Sequence, residues 1–264
     1  MQRERREEIR RMLGERPFLS LDELAEAFPD VSGMTLRRDI EYFEERGEAI
    51  KVRGGARSMR FISPPGDDNV NRRTVERVEE KRAIAEAAVP FLETGRSIFI
   101  DSGSTMRTFA KNVPPGRFSF TTTDPAIALE LLRSGGAVVN MVGGRLEGDN
   151  QTVTGLQATR FLTGINIDIA FLCPSGYSEQ DGFTVANFNE CELKRIVTEK
   201  ARLVIMLMDS SKCGRALPYT FCTAADADVI ITDRAIPETL ISDAQVHGVR
   251  VIQADIPSEG SDTE

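Results

Sequence analysis

Apolar positions recur at helical spacing through most of the first sixty residues and then switch to strict alternation. Ile9, Met12 and Leu13 mark the buried side of a helix over about Arg3–Leu13. Leu21, Leu24, Ala25 and Phe28 give a second, shorter apolar face. Ser20-Leu21-Asp22-Glu23 in front of it reads as a capping box, in which serine and glutamate satisfy each other's orphan amides. Pro29, Asp30 and Val31 leave room for only a tight turn. Leu36, Ile40 and Phe43 then follow at i, i+4, i+7 behind Ser32, whose hydroxyl can accept from the amides two or three residues on, and Gly47 ends the run. Ala49-Ile50-Lys51-Val52-Arg53 alternates, which predicts a half-buried strand with its basic residues outward. Gly54-Gly55 supplies the turn, and Arg57 and Arg60 return on the other arm.

Helix, tight turn, helix, basic hairpin is the order of a winged helix-turn-helix, and it predicts binding to double-stranded DNA. Arg37 and Arg38 fall off the apolar stripe, early in the second helix, where a guanidinium fork can pair with guanine or clamp a phosphate. Met34 and Thr35 sit at the helix start, where base edges are met. The predicted DNA-contacting set is Ser20, Ser32, Met34, Thr35, Arg37, Arg38, Arg53, Gly54 and Gly55. The competing reading of such a helix is a solvated charged face; the cap, the arginine pair and the glycine turn occurring in order argue against it.

Ser63-Pro64-Pro65-Gly66-Asp67-Asp68-Asn69 is a cluster of helix and strand breakers and marks a domain boundary. A long helical pattern over about 71–92 follows, with Val75, Val78, Ile84, Ala85, Ala88 and Leu92 apolar. Beyond residue 95 short apolar runs alternate with amphipathic stretches. Strands are expected at Ser97–Asp101, Arg117–Thr122, Ala137–Val142, Ile167–Leu172, Leu203–Met208, Asp228–Thr232 and Gly248–Gln253. Helices are expected at Met106–Asn112, Pro125–Ser134, Leu156–Thr163, Glu190–Glu199 and Thr239–Gln245. The fold class is therefore α/β: a small helix-turn-helix domain over 1–60, a linker and connector over 61–80, a larger domain with a mainly parallel sheet over 81–257, and a polar tail over 258–264.

Ligands of such sheets sit beyond the carboxyl ends of the strands. Asp101-Ser102-Gly103-Ser104-Thr105 places small hydroxyl residues between a strand and a helix start, a cradle for phosphate or carboxylate. Thr123-Asp124, Gly143-Gly144-Arg145, Pro174–Tyr177 and Asp209-Ser210-Ser211-Lys212 end four further strands, and Glu190 and Lys194 open a helix. Ser102, Ser104 and Thr105 are expected to hold an anionic group with Lys212 and Lys194, while Asp101, Asp124 and Glu190 orient hydroxyls. Gly103, Thr123, Gly143, Gly144 and Arg145 complete the expected lining. Each also has a structural alternative: the first loop as a capped turn, Gly143-Gly144 as a bend, Asp101 and Asp209 as helix caps, Lys194 and Arg195 as surface charges.

Charge modifies this picture in one respect. The chain of 264 residues has a net charge of −8, unusual for a DNA binder, yet residues 1–60 hold 13 basic and 13 acidic residues and are neutral. The other 20 basic and 28 acidic residues carry the excess, so DNA affinity must come from where the arginines sit and from assembly into a homodimer or homotetramer. Four cysteines without a Cys-x-x-Cys spacing and a single histidine, His247, argue for reduced thiols and against a metal site. With no apolar run of membrane length and no signal peptide, a cytoplasmic protein without a membrane partner is expected; no cofactor is implied.

The segment Val31-Ser32-x-x-Thr35-Leu36-Arg37-Arg38-Asp39-Ile40, followed by Val52-Arg53-Gly54-Gly55-Ala56, resembles the DNA-binding domain of the DeoR family of bacterial transcriptional regulators. The larger part resembles that family's sensor domain through Glu80-Lys81-Arg82-x-Ile84-Ala85, Asp101–Thr105, Gly143-Gly144, Asp168-x-Ala170-Phe171, Asp181-Gly182 and Asp209–Lys212. The resemblance implies a sensor similar in fold to ribose-5-phosphate isomerase and a repressor that a phosphorylated sugar or related metabolite releases from DNA. It also makes Thr35, Arg37 and Arg38 the DNA contacts. The chain departs from the family pattern at Ser104, where threonine is common, and at Asp124, where asparagine is common. A carboxylate at 124 would repel a phosphate unless something keeps them apart. The rival reading is an isomerase-like enzyme built on the same carboxylates and lysine; a further one is an activator of the same architecture.

Overall fold

The structure, a computed structural model, describes residues 2–16, 18–46, 48–52, 54–58, 70–148 and 150–256. Arg53, Gly47, Arg60, the breaker cluster and the polar tail lie outside them. The N-terminal part runs α1 (Gln2–Glu15), β1 (Phe18–Ser20), α2 (Leu21–Ala27), α3 (Gly33–Glu45), β2 (Ala49–Val52) and β3 (Gly55–Ser58). Ile9, Leu13, Leu19, Leu24, Leu36, Ile40 and Phe43 form its core, so the helical stripes fold inward as their spacing predicts. Ala25 is exposed, because α2 is too short to bury more than one line of residues. The hairpin β2–β3 gains a third strand, β1, giving the antiparallel order β1-β3-β2. Being at the edge, β2 leaves Ile50 exposed along with Lys51, and Lys51 is tied to Glu41 at 2.6 Å.

β1 explains Gly55. A Cβ there would fall 2.2 Å from the Leu19 carbonyl oxygen, a separation atoms do not share. Gly55→Ala is expected to lower stability by about 1–3 kcal/mol through forced backbone movement. Thermal unfolding of the full chain checks this, and an unaltered first transition would mean that β1 does not approach so closely.

The expected single helix over 71–92 is broken in two: α4 (Val70–Thr74) and α5 (Val78–Ala88), with Arg77 between them at a left-handed φ of 52°. Val75 and Val78, expected in an apolar face, are exposed, and Val70 is buried instead. The cause is Lys81, whose ammonium donates to the carbonyls of Arg73 and Glu76. A continuous helix would give those carbonyls to its own amides. The bend lets α4 pack on the larger domain, which thus takes in residues from Val70 onward.

That domain continues with β4 (Ser97–Ile100), α6 (Ser104–Lys111), β5 (Ser119–Thr122), α7 (Pro125–Arg133), β6 (Val138–Met141), β7 (Arg145–Leu146), β8 (Val153–Thr154) and α8 (Leu156–Thr163). Then come β9 (Ile167–Leu172), β10 (Gly176–Ser178), β11 (Gly182–Val185), α9 (Phe188–Lys200), β12 (Ala201–Leu207), β13 (Tyr219–Cys222), β14 (Val229–Asp233), α10 (Glu238–Val246) and β15 (Arg250–Ala254). The seven strands expected from the apolar runs form one parallel sheet in the order β6-β5-β4-β9-β12-β14-β15. Its two faces are buried under separate cores: Ile98, Ile100 and Phe171 face one, Phe99, Ala170 and Leu172 the other. Burial on both sides is why these strands read as unbroken apolar runs. The small sheet β10-β11-β13 and the pair β7-β8 were not foreseen; their strands are two to four residues long and carry no period of their own.

Candidate functional site

The first candidate surface is the exposed end of α3. Ser32 caps it, accepting from the Thr35 amide at 3.3 Å, with the Thr35 hydroxyl 2.9 Å away. Met34 is exposed, as are Arg37 and Arg38, neither of which has an ion-pair partner among the described residues. The next residue points the other way. Asp39 is buried and accepts from Arg5 at 2.6 Å and Arg6 at 2.7 Å, so it clamps α1 to α3. Two adjacent cations thus face outward early in α3 while Asp39 turns inward, a disposition suited to contacting DNA. Gly54 forms the wing tip at φ 91°, and its carbonyl accepts from Leu21 at 2.8 Å. Ser20 exchanges hydrogen bonds with Glu23 as the cap of α2, which commits its hydroxyl.

The second candidate surface lies at the carboxyl ends of the large sheet. Chain order runs outward from β4 through β5 to β6 on one side, and from β9 through β12 and β14 to β15 on the other. The sheet therefore switches direction between β4 and β9, the position beyond whose strand ends ligands of such sheets bind. Asp101 follows β4 and Cys173 follows β9. The Asp101 carboxylate accepts from the Cys173 amide at 3.0 Å and from Lys194. Lys194 also donates to the Cys173 carbonyl at 2.9 Å and pairs with Glu190 at 3.2 Å. Burial opposes its charge, but Asp101 and Glu190 outweigh it and hold the ammonium above the ordinary lysine range. An ammonium has three donors, and these three acceptors use them. Asp101, Glu190 and Lys194 are thus gathered as expected, yet Lys194 positions the two acids rather than presenting a free charge.

Lys212 is different. It ends a short 3-10 turn, Ser210–Lys212, capped by Asp209, and is nearly buried, with no hydrogen-bond partner for its amine among the described residues. Burial pulls its pKa below the ordinary lysine value, while Asp209 pushes the other way. One carboxylate oxygen of Asp209 is buried without a hydrogen bond. Ser102, Ser104 and Thr105 are buried, and no protein group among the described residues hydrogen-bonds their hydroxyls. Helix α6 starts at Ser104 behind Gly103 with no side-chain cap, so its first amides are available. At φ 120° Gly103 holds a backbone conformation that other residues rarely adopt, and a Cβ would sit 3.0 Å from the Cys173 sulfur. Uncapped amides, free hydroxyls and an unpaired ammonium are complementary to an anion.

Asp124 has another task than the expected one. It is fully buried, caps α7 through the amides of Ala126 and Ile127, and pairs with Arg107 through both oxygens at 3.0 and 3.3 Å. That arginine, from α6, supplies the counter-charge of the carboxylate. Asp124→Asn is expected to cost about 1–3 kcal/mol by leaving Arg107 without its counter-charge, measured as a lower unfolding midpoint, with ligand response retained. Thr123 is also committed, accepting from Thr152 at 3.1 Å. Gly143, Gly144 and Arg145 are exposed and lead into β7; Gly144 permits a close approach to the Thr154 carbonyl, where a Cβ would lie at 2.5 Å. Among the described residues no hydrogen bond or ion pair ties these three to Asp101, Glu190, Lys194 or Lys212.

Residues that the sequence reading missed are Lys81, which fixes the α4–α5 bend, Arg107, and Asn150, which accepts from Arg73 at 3.1 Å and donates to Glu190 at 3.0 Å. Lys81 lies in a recognisable Glu-Lys-Arg motif; Arg107 and Asn150 carry no local signal, because their partners are distant in sequence. The cysteines are not activated: burial, then Asp101, push the Cys173 thiol up to about 12, and burial, then Asp233, push Cys213 there too. Among the described residues no cluster of three metal-ligating side chains occurs, and no helix is long and apolar enough to cross a membrane.

Residues 5–60 match the DeoR-like helix-turn-helix domain, and residues 76–234 match the DeoR C terminal sensor domain. The chain is 30% identical to the HTH-type transcriptional regulator GolR of Listeria innocua, over 94% of this chain and 97% of that protein. It is 28% identical to the HTH-type transcriptional repressor GlcR of Bacillus subtilis, over 88% of each. Among solved structures, ribose 5-phosphate isomerase A of Methanocaldococcus jannaschii is similar over 50% of this chain and 53% of that one, at 18% identity and a TM-score of 0.33. That last likeness is too distant to carry an argument.

Proposed function

Because the chain belongs to the DeoR family of DNA-binding transcriptional regulators, we propose that it is a repressor that leaves its operator when a phosphorylated sugar occupies the cleft. Membership makes it a regulator rather than an enzyme. The observation that supports the ligand class is Lys212: a nearly buried ammonium beside Asp209, with no hydrogen-bond partner among the described residues, has donors left for an anion. Ser102, Ser104, Thr105 and the first amides of α6 receive the phosphate with Lys212, and Asp101, Glu190 and Asp209 face the hydroxyls. Lys194 holds the first two of those acids in place. DNA is bound through Thr35, Arg37 and Arg38, with Gly54 and Gly55 shaping the wing, in the cytoplasm. The repressor sign follows the relative that carries that name. Ligand binding lowers operator affinity by favouring the arrangement that binds DNA less well, which requires unequal affinity for the two.

The test is fluorescence anisotropy with DNA from upstream of the protein's own coding region, with and without a panel of sugar phosphates. Salt-sensitive binding that one ester reverses supports the proposal. Binding that no ester alters removes the ligand class and leaves the DNA reader. A reporter that loses transcription when the protein is deleted would replace repressor by activator.

A further inference from the structure

We propose that the β10–β11 hairpin is an autoinhibitory latch: Asp181 at its tip holds the wing residue Arg57 away from DNA, and a ligand at Lys212 favours the latched arrangement. The second clause rests on the ligand reading above; the first stands without it. The motif Asp181-Gly182 takes no part in the site around Lys194 and Lys212, yet its geometry is closely specified. The Asp181 carboxylate accepts from the Ser178 hydroxyl at 2.9 Å, its amide donates to the same oxygen at 3.1 Å, and its carbonyl accepts from Thr220 at 2.8 Å. Gly182 closes the turn at φ 70°, where a Cβ would fall 2.6 Å from the Cys222 carbonyl oxygen. A turn fixed in this way aims its carboxylate in one direction. That direction is the DNA-binding domain, where Arg57 of β3 lies 3.8 Å away.

Arg57 stands beside Phe18 in the β1–β3 register, on the arm of the wing that follows the Gly54 turn. A guanidinium neutralised by a carboxylate offers less to a DNA phosphate. The tip Glu179-Gln180-Asp181 carries two acids and no base, so the docked hairpin also sets negative charge where DNA would bring its own. The contact is weak enough to open. Phe18 and Arg57 from one domain, and Tyr177, Asp181, Cys213 and Leu240 from the other, surround a cavity of about 310 Å³ instead of a packed seam. An ion pair this exposed adds little stability, so DNA can displace it.

The other end of the hairpin reaches the loop that carries Lys212. Tyr177 bridges Cys213, the residue after that lysine. The Leu217 amide donates to the Thr184 hydroxyl at 3.1 Å, and that hydroxyl donates to the Gly176 carbonyl at 3.2 Å. The loop presses on Gly176 so closely that a Cβ there would fall 2.5 Å from the Arg215 carbonyl oxygen. Residues 212–217 and the hairpin therefore move together. An anion that fixes Lys212 fixes the loop, and with it the tip that holds Arg57. By linkage, the factor by which the ligand weakens DNA binding is the factor by which DNA weakens ligand binding.

The experiment uses the full chain and DNA from upstream of its own coding region. Asp181→Asn keeps an acceptor for Ser178 and removes the charge. Without ligand it is expected to bind DNA about two- to fivefold more tightly than the wild type, the scale of an exposed ion pair. In an Arg57→Ala background the same change is expected to have no effect. A gain that persists without Arg57 reports only the removal of a negative charge and overturns the latch, as does an unchanged affinity in the single variant. Asp181→Ser repeats the comparison if asparagine lowers the unfolding midpoint. With the ester that releases the wild-type protein, Asp181→Asn is expected to bind the ester in calorimetry without DNA, yet to be released from DNA about two- to fivefold less. Release equal to that of the wild type overturns the link to Lys212. If no sugar phosphate binds the wild-type protein, the ligand class fails, while the operator affinities still decide the latch.

Discussion

Lys212→Ala is expected to leave operator binding intact while weakening the response to the ligand by about 10- to 100-fold, the loss of a charge-assisted hydrogen bond worth ~1.5–3 kcal/mol. The same change should cost little stability beyond the attraction lost to Asp209, because the ammonium makes no hydrogen bond among the described residues. Lys194→Ala should do the reverse. It strips the counter-charge from Asp101 and Glu190, both buried, and should lower stability by about 3–5 kcal/mol. The pair of variants separates a lysine that waits for a ligand from one that holds the cleft together. Anisotropy with the releasing ester measures the first effect and thermal unfolding the second. A Lys212→Ala protein that is released as readily as the wild type would remove Lys212 from the site. Protonation gives an independent check. Burial lowers the Lys212 pKa, so this ammonium deprotonates earlier than an ordinary lysine as pH rises. Ligand affinity should therefore fall as pH rises through that lowered value, and binding there should take up protons; calorimetry in buffers of different ionisation enthalpy would detect the uptake.

Arg37→Ala and Arg38→Ala are each expected to weaken operator binding by about 1–3 kcal/mol, roughly 5- to 150-fold at fixed salt, without lowering stability. Both side chains are exposed and lack an ion pair among the described residues, so their removal disturbs nothing in the fold. The two effects should differ in kind. The arginine that reads a base loses discrimination at one operator position. The arginine that holds a phosphate weakens all sequences alike and reduces the salt slope by about one. Asp39→Asn serves as the contrast, since Asp39 is buried between Arg5 and Arg6 and its loss should appear in the unfolding midpoint. Affinity unchanged in both arginine variants would move the DNA-reading edge away from α3.

The sequence by itself determined the elements and their order, because the interactions that specify them lie within a few residues. The Ser20–Glu23 box and the Ser32–Thr35 cap span three residues, and both formed. The stripe Leu36, Ile40, Phe43 closes within two helical turns, and all seven long strands announced themselves by apolar runs that only two-sided burial explains. The strand-end loops that build the cleft were visible for the same reason. What the tertiary structure decided is which polar group meets which. Lys194 and Asp101 are 93 positions apart and Arg107 and Asp124 are 17, and no local pattern distinguishes a spent carboxylate from an available one. Arg73 and Glu76 look like interior positions of a long helix until Lys81 takes their carbonyls and bends the chain. Strands of three or four residues such as β1 and β10 have too few positions to show a period; only the partner strand supplies their hydrogen bonds. A carboxylate or ammonium in a sequence is a capacity to bind. Whether it is still unspent depends on desolvation and on partners brought in from across the chain, and in this protein that left Lys212 unpaired and Lys194 saturated.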